Sequence, residues 1–155
     1  MWIMNKLTTK LKSFDEAFVA FFQPKIFGML RISIGFIYVL FGALKFFPNY
    51  SPAEELAATT IDMITLGVFM GDTALMLLAI IEVGIGIGLM VNFKTKGMVM
   101  IALWHMVCTF MPMIVLPQYA YSNSPYSLSL VGQYILKNMI IISALIGIYT
   151  NHKKG

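Results

Sequence analysis

A single cysteine, Cys108, stands in the 155 residues. That excludes an intrachain disulfide, a CxxC redox pair and any multi-cysteine zinc or iron–sulfur centre. Charge is scarce too: Asp, Glu, Lys and Arg make up 12% of the chain, against 59% hydrophobic residues. Soluble domains carry about 25% charged residues. With so few charges and a mean hydropathy of +0.80, a water-facing surface could not be covered, which excludes a soluble enzyme. No strand-length alternating segments are present, so a membrane β-barrel is excluded as well. Neither an internal repeat nor a low-complexity segment is evident.

What is present is long apolar runs. A helix needs about 20 mostly apolar residues to cross a ~30 Å hydrocarbon core. Four stretches meet this, at about 26–47, 72–91, 97–117 and 131–149. The expected architecture is an all-α, integral-membrane four-helix bundle forming one domain. Short connections between the second, third and fourth spans favour antiparallel neighbours.

Lys and Arg outside the spans are distributed on one side only. Lys6, Lys10, Lys12 and Lys25 precede the first span, Lys94 and Lys96 lie between the second and third, and Lys153 and Lys154 end the chain. The long first loop and its boundary instead carry Glu54, Glu55, Asp62 and Asp72. The positive-inside rule then puts both termini in the cytoplasm, as in a multi-pass protein of a bacterial inner membrane. It also accounts for the net charge of +4 through lipid headgroups, with no nucleic-acid partner.

Residues 1–25 do not read as a cleavable signal, because the apolar run before Pro24 is short and holds Asp15 and Glu16. Ile3, Leu7, Leu11, Phe14, Phe18 and Phe21 recur at spacings of three and four, which suits a helix lying in the cytoplasmic interface. In the first outer loop, Ser51-Pro52-Ala53-Glu54 reads as a capping box. A short extracytoplasmic helix from Pro52 to Ile64 should follow, with Leu56, Ala57, Thr60, Ile61 and Ile64 turned to the bundle or membrane as a lid.

Ionisable side chains within a membrane cost roughly 2.5–3.5 kcal/mol each on insertion scales. Five need a reason: Arg31, Lys45, Glu82, His105 and Lys137. Arg31, Gly35, Tyr38, Gly42 and Lys45 share one helix face by spacing. So do Leu75, Ala79, Glu82, Gly86 and Leu89 in the second span, and Ala102, His105, Thr109 and Pro112 in the third. For the fourth span the expected inward face is Gln133, Lys137, Ile140, Ala144 and Gly147. Four such faces converge on a shared interior.

Depth narrows the pairings. Glu82 lies about 14 Å and His105 about 12 Å from the cytoplasmic ends of their helices, so a Glu82–His105 hydrogen bond is geometrically reasonable. Lys45 lies about 3 Å and Lys137 about 9 Å below the outer surface, and both can reach inward to Glu82 or outward to water. Arg31 and Lys45 have snorkelling as a plain alternative. Glu82 is too deep for that, and it serves as structural glue or as part of a ligand or proton site. His105, Cys108 and Met111 are too few donors for an expected metal. Gly84, Gly86 and Gly88 suit close helix packing.

At these residues the chain resembles the DoxX family of small four-helix bacterial membrane proteins. The resemblance rests on RISIGFIYVLFGALKFFP with SPAEELAATTID, on IIEVGIGIGL, on HMVCTFMP, and on VGQYILKNMIIISAL. It runs from Arg31 to Leu145 and implies functional positions at Arg31, Lys45, Glu82, His105 and Lys137-Asn138. The family name comes from a subunit of a thiosulfate:quinone oxidoreductase, so the resemblance implies a quinone-facing role beside a redox partner protein. The leading expectation is a subunit binding a quinone or small ligand, with Glu82 and His105 as the proton-handling pair. Lys45, Lys137, Asn138, Tyr38, Arg31 and Gln133 would contact the ligand. A small-solute carrier, which would call for a homodimer, and an assembly or anchor subunit of a larger complex are the alternatives.

Overall fold

The computed structural model describes residues 2–47, 50, 54–122 and 127–151, with side chains from residue 10 onward. Its helices are α1 (Trp2–Phe22), α2 (Ile26–Leu44), α3 (Glu54–Ile64), α4 (Gly71–Met90), α5 (Thr95–Cys108), α6 (Met111–Val115), α7 (Pro117–Ala120) and α8 (Leu130–Asn151). No strand occurs among the described residues. The sole β feature there is an isolated antiparallel bridge, Tyr121 to Leu128.

Four segments are long and apolar enough to cross a membrane: α2, α4, Thr95–Val115 and α8. They pack in the ring order α2–α4–α5–α8, the antiparallel bundle expected from the short connections. Outside the ring, Phe36, Leu40, Ile80, Met100, Trp104 and Ile140 are among many large apolar side chains left exposed. Such a surface suits lipid and would aggregate in water.

The α2–α4 contact is the most extensive, and two glycines set its distance. A Cβ on Gly86 would stand 2.6 Å from the Gly35 carbonyl oxygen, and one on Gly35 would stand 2.7 Å from that of Gly86. The backbones therefore touch, as small residues allow between membrane helices, where dispersion replaces hydrophobic driving force. Gly42 continues this seam one step further along, with room for a Cβ only 2.9 Å from that of Glu82. Gly88 also packs closely, against Met98, whereas Gly84 has nothing near it and faces outward.

Between α4 and α5 the chain reverses within a few residues. Phe93 N–H bonds the Gly88 carbonyl at 2.9 Å and Asn92 N–H that of Leu89 at 3.3 Å, a Schellman closure with Asn92 at φ 60°. The third span breaks after Cys108, resuming at Met111. Pro112 is the cause, since it has no N–H for the helical ladder and crowds the preceding turn.

An apolar cluster of Ile34, Ile85, Leu89, Val99, Ala102, Met106, Leu145 and Ile148 fills one half of the bundle. At the other end α3 packs on α4 and α6, and α7 packs on α6 and α8. The expected helix of the first loop is thus present from Glu54, with Thr60 buried and Ile64 exposed. Its capping box at Ser51-Pro52-Ala53 lies outside the described residues. α1 has no extensive packing on the bundle, and every side chain from Lys10 to Phe21 is exposed.

The fourth helix requires a correction. Its buried residues are Gly132, Ile135, Leu145 and Ile148, and of the face expected from its polar residues only Ala144 and Gly147 are half-buried. Gln133, Lys137 and Ile140 are exposed instead. Gly132 fixes this facing, because its α-carbon meets the Ala120 carbonyl so closely that a Cβ has no space.

The glycine seam predicts a sharp contrast. Gly86→Ala should force α2 and α4 apart and destabilise the bundle by about 1–3 kcal/mol, the usual cost of overpacking. Gly84→Ala should leave stability unchanged or slightly raised. Thermal unfolding in detergent would read both, and equal effects would refute the close-contact account.

Candidate functional site

Three helices bring four polar side chains into one chain of two hydrogen bonds joined by a charge contact. Lys45, the C-cap residue of α2, places its ammonium nitrogen 2.6 Å from Oε2 of Glu82 on α4. The other carboxylate oxygen, Oε1, is 3.4 Å from Nε2 of His105 on α5. Nδ1 of the same imidazole is 3.1 Å from the Tyr38 hydroxyl, back on α2. That hydroxyl is also 3.1 Å from the Ala102 carbonyl oxygen, to which it can donate. The chain runs Lys45–Glu82–His105–Tyr38, from the end of a span into the interior.

Each member is held by its own element. Tyr38 is 3% exposed and lies against the apolar cluster, its ring 5.4 Å from the imidazole. Glu82, 8% exposed, sits in the α2–α4 seam, where Gly42 leaves space for its side chain. Lys45 also donates to the Phe41 carbonyl at 3.3 Å, so two of its three protons have acceptors. Its side chain is 9% exposed, close to the 10% of Glu82 and 12% of His105.

Burying an ion pair costs desolvation that only good geometry and further hydrogen bonds offset. Here both are present: the carboxylate receives Lys45 on one oxygen and faces His105 on the other. No buried side-chain nitrogen or oxygen among the described residues lacks a partner.

The other expected site residues go elsewhere. Asn138 of α8 donates from Nδ2 to the Thr109 hydroxyl at 2.9 Å, and Thr109 donates to the Met106 carbonyl at 2.6 Å. This pair ties α8 to the third span beside its Pro112 break. Lys137 points away from Glu82, its ammonium 4.8 Å from the Tyr134 ring centroid. Gln133 is exposed and donates to the Leu128 carbonyl at 3.4 Å.

Arg31 caps the end of α4. Its guanidinium donates to the carbonyls of Leu89 and, at 3.2 Å, Met90, which are among the last four of α4 and have no i+4 N–H within the helix; that of Leu89 also accepts the Asn92 N–H. A cation there also complements the helix dipole. Spacing within α2 puts Arg31 on the inward face, but only the α2–α4 packing brings the end of α4 beside it.

Among the described residues no three His, Cys, Asp or Glu side chains gather as a metal would require. No family model matches the chain, and no curated protein or solved structure is significantly similar to it. The site is therefore read from its own chemistry. Lys45, Tyr38 and His105 all offer N–H or O–H groups beside one carboxylate, a set able to polarise a ligand oxygen and exchange a proton with it.

The ion pair predicts an asymmetry. Lys45→Met strands the Glu82 carboxylate deep in the bundle and should cost about 3–5 kcal/mol, as when one partner of a buried pair is removed. Glu82→Gln should cost less, because the freed Lys45 ammonium at its helix end can turn to water. The double variant should be more stable than Lys45→Met alone. Unfolding midpoints of the three variants would test the order.

Proposed function

We propose that this chain is a DoxX-like protein of the bacterial inner membrane that binds a quinone or similar small ligand. The ligand would lie in the outer half of the bundle, and the chain would serve as a subunit beside a redox partner. The observation that carries the reading is the buried Lys45–Glu82–His105–Tyr38 chain. Mid-membrane carboxylates are rare and usually functional, and this one lies between a fixed cation and an imidazole. The order of Arg31, Lys45, Glu82, His105 and Lys137-Asn138 along the sequence supports the family resemblance.

The donor set fits a quinone. One Lys45 proton remains beyond those given to Glu82 and Phe41, and it can meet a carbonyl oxygen. A bound quinone supplies the electron-accepting chemistry. Lys45 would then hold that oxygen and offset the negative charge it gains, and His105 would exchange a proton with it. Glu82 keeps the imidazole oriented throughout. Lys137, Gln133 and Arg31 stand outside this arrangement.

A second reading has its own observation. Lys137 lies on the outward face of a spanning helix beside the Tyr134 ring, where hydrocarbon offers no hydrogen-bond partner. A neighbouring polypeptide seated there would supply one, which favours an assembly or anchor subunit of a larger complex.

Native mass spectrometry with lipid extraction of the detergent-purified protein separates the two. Quinone should co-purify with the wild type and be depleted in Glu82→Gln. Phospholipid alone in both would overturn the ligand reading. A partner protein lost on Lys137→Ala would favour the second. Cytoplasmic termini are expected, so a reporter fused after Gly155 should be active only as a cytoplasmic fusion. A periplasmic signal would reverse the orientation.

A further inference from the structure

We infer that Tyr38 is a positioning residue whose hydroxyl turns between the Ala102 carbonyl and Nδ1 of His105. His105 thereby gains and loses one proton without leaving a buried atom unpaired. The inference deepens the reading of this cluster as a proton-handling site and rests on it.

The argument begins with what each partner can do. The Ala102 carbonyl only accepts, and the Glu82 carboxylate, held by Lys45 at 2.6 Å, accepts as well. Nε2 of His105 stands 3.4 Å from that carboxylate, where a bare nitrogen lone pair would be repelled and an N–H attracted, so the proton is placed on Nε2 in the neutral ring as in the charged one. All the freedom therefore falls on Nδ1. The Tyr38 oxygen stands 3.1 Å from Nδ1 and 3.1 Å from the Ala102 oxygen.

In the neutral state Nδ1 is bare and accepts the hydroxyl proton of Tyr38. In the charged state Nδ1 carries the added proton and donates it to the phenolic oxygen, whose own proton now points to Ala102. The change needs only rotation about the phenol C–O bond, with no heavy atom displaced. One proton enters from water or a bound ligand, no electron moves, and the Lys45–Glu82–His105–Tyr38 set passes from net zero to +1. A buried donor or acceptor left unpaired would be penalised in either state, and Tyr38 supplies the partner of Nδ1 in both.

Around His105, α2 contributes Tyr38 and, through Glu82, Lys45. α4 contributes Glu82. α8 contributes the Asn138 amide, one turn away on Thr109, while Lys137 is turned outward. Among the described residues Glu82 is thus the anion that faces the imidazole, already bearing an ammonium on its other oxygen.

The chain has two histidines, which makes the test direct. Full-length protein with 15N-labelled histidine and a His152→Gln substitution, in lipid nanodiscs, yields the nitrogen shifts of His105 alone across pH. The wild type should show the Nε2–H tautomer when neutral and two protonated nitrogens at lower pH, with no Nδ1–H tautomer. Tyr38→Phe keeps the ring but removes the partner of Nδ1 in both forms, and the charge-assisted bond of the imidazolium is the stronger of the two lost. At a given pH the doubly protonated ring should then be about tenfold less populated. A neutral Nδ1–H tautomer in the wild type, or a ring that never charges while the protein stays folded, would overturn the inference. So would a Tyr38→Phe titration that superimposes on the wild type. The wild-type tautomer decides the matter even if the Phe variant folds poorly. No ligand takes part, so failure here leaves the quinone test standing, and a failed quinone test leaves these spectra unchanged.

Discussion

The Lys45–Glu82 ion pair is the constraint on which the bundle turns. A carboxylate in the middle of a membrane helix has to be paired or neutralised, and its partner must arrive on a neighbouring element at hydrogen-bond distance. Gly42 lets α2 lie against the Glu82 side chain, and Gly35 and Gly86 hold the same two backbones together further along. Arg31 ties the far end of the seam by capping α4. One helix pair thus carries the site's charge, its closest packing and its end cap. The other two spans supply an imidazole, the Thr109–Asn138 tie and apolar bulk.

Three of the four inward faces were legible in the sequence, and the reason is physical. In α2, α4 and α5 many interior positions, such as Gly35, Gly42, Ala79, Glu82, Gly86 and Ala102, are small or polar against a background of Leu, Ile and Phe, so their spacing marks the inward face. In α8 the signal reverses. Gln133 and Lys137 attract attention as polar residues, yet the buried positions are Gly132, Ile135, Leu145 and Ile148. Hydrocarbon surrounds a membrane helix as it fills its interior, so an apolar face carries no mark of which way it points. Contacts with other segments, the close approach of Gly132 to Ala120 and the Asn138–Thr109 hydrogen bond, set the rotation.

The candidate site was legible to a similar degree. Depth arithmetic placed Glu82 beside His105 and let Lys45 reach inward, because both follow from helix rise and antiparallel pairing. Tyr38 entered as one ligand contact among several. Its double hydrogen bond depends on how α2 and α5 meet across the bundle, which no spacing within either helix encodes. The capping role of Arg31 similarly requires the α2–α4 packing to be set in three dimensions.

The apolar cluster that fills one half of the bundle gives the site an electrical position. Tyr38 and His105 sit about 10 Å in from the Lys45 end of α2, roughly a third of the ~30 Å hydrocarbon thickness. Ile34, Leu89, Val99, Leu145 and Ile148 occupy the remainder. A charge crossing the whole layer exchanges about 2.3 kcal/mol per 100 mV. On the proposal that His105 takes up a proton from the Lys45 end, that proton would cross about a third of the field, and its occupancy would shift roughly fourfold per 100 mV. Proton handling at this depth would thereby couple to the voltage across the membrane.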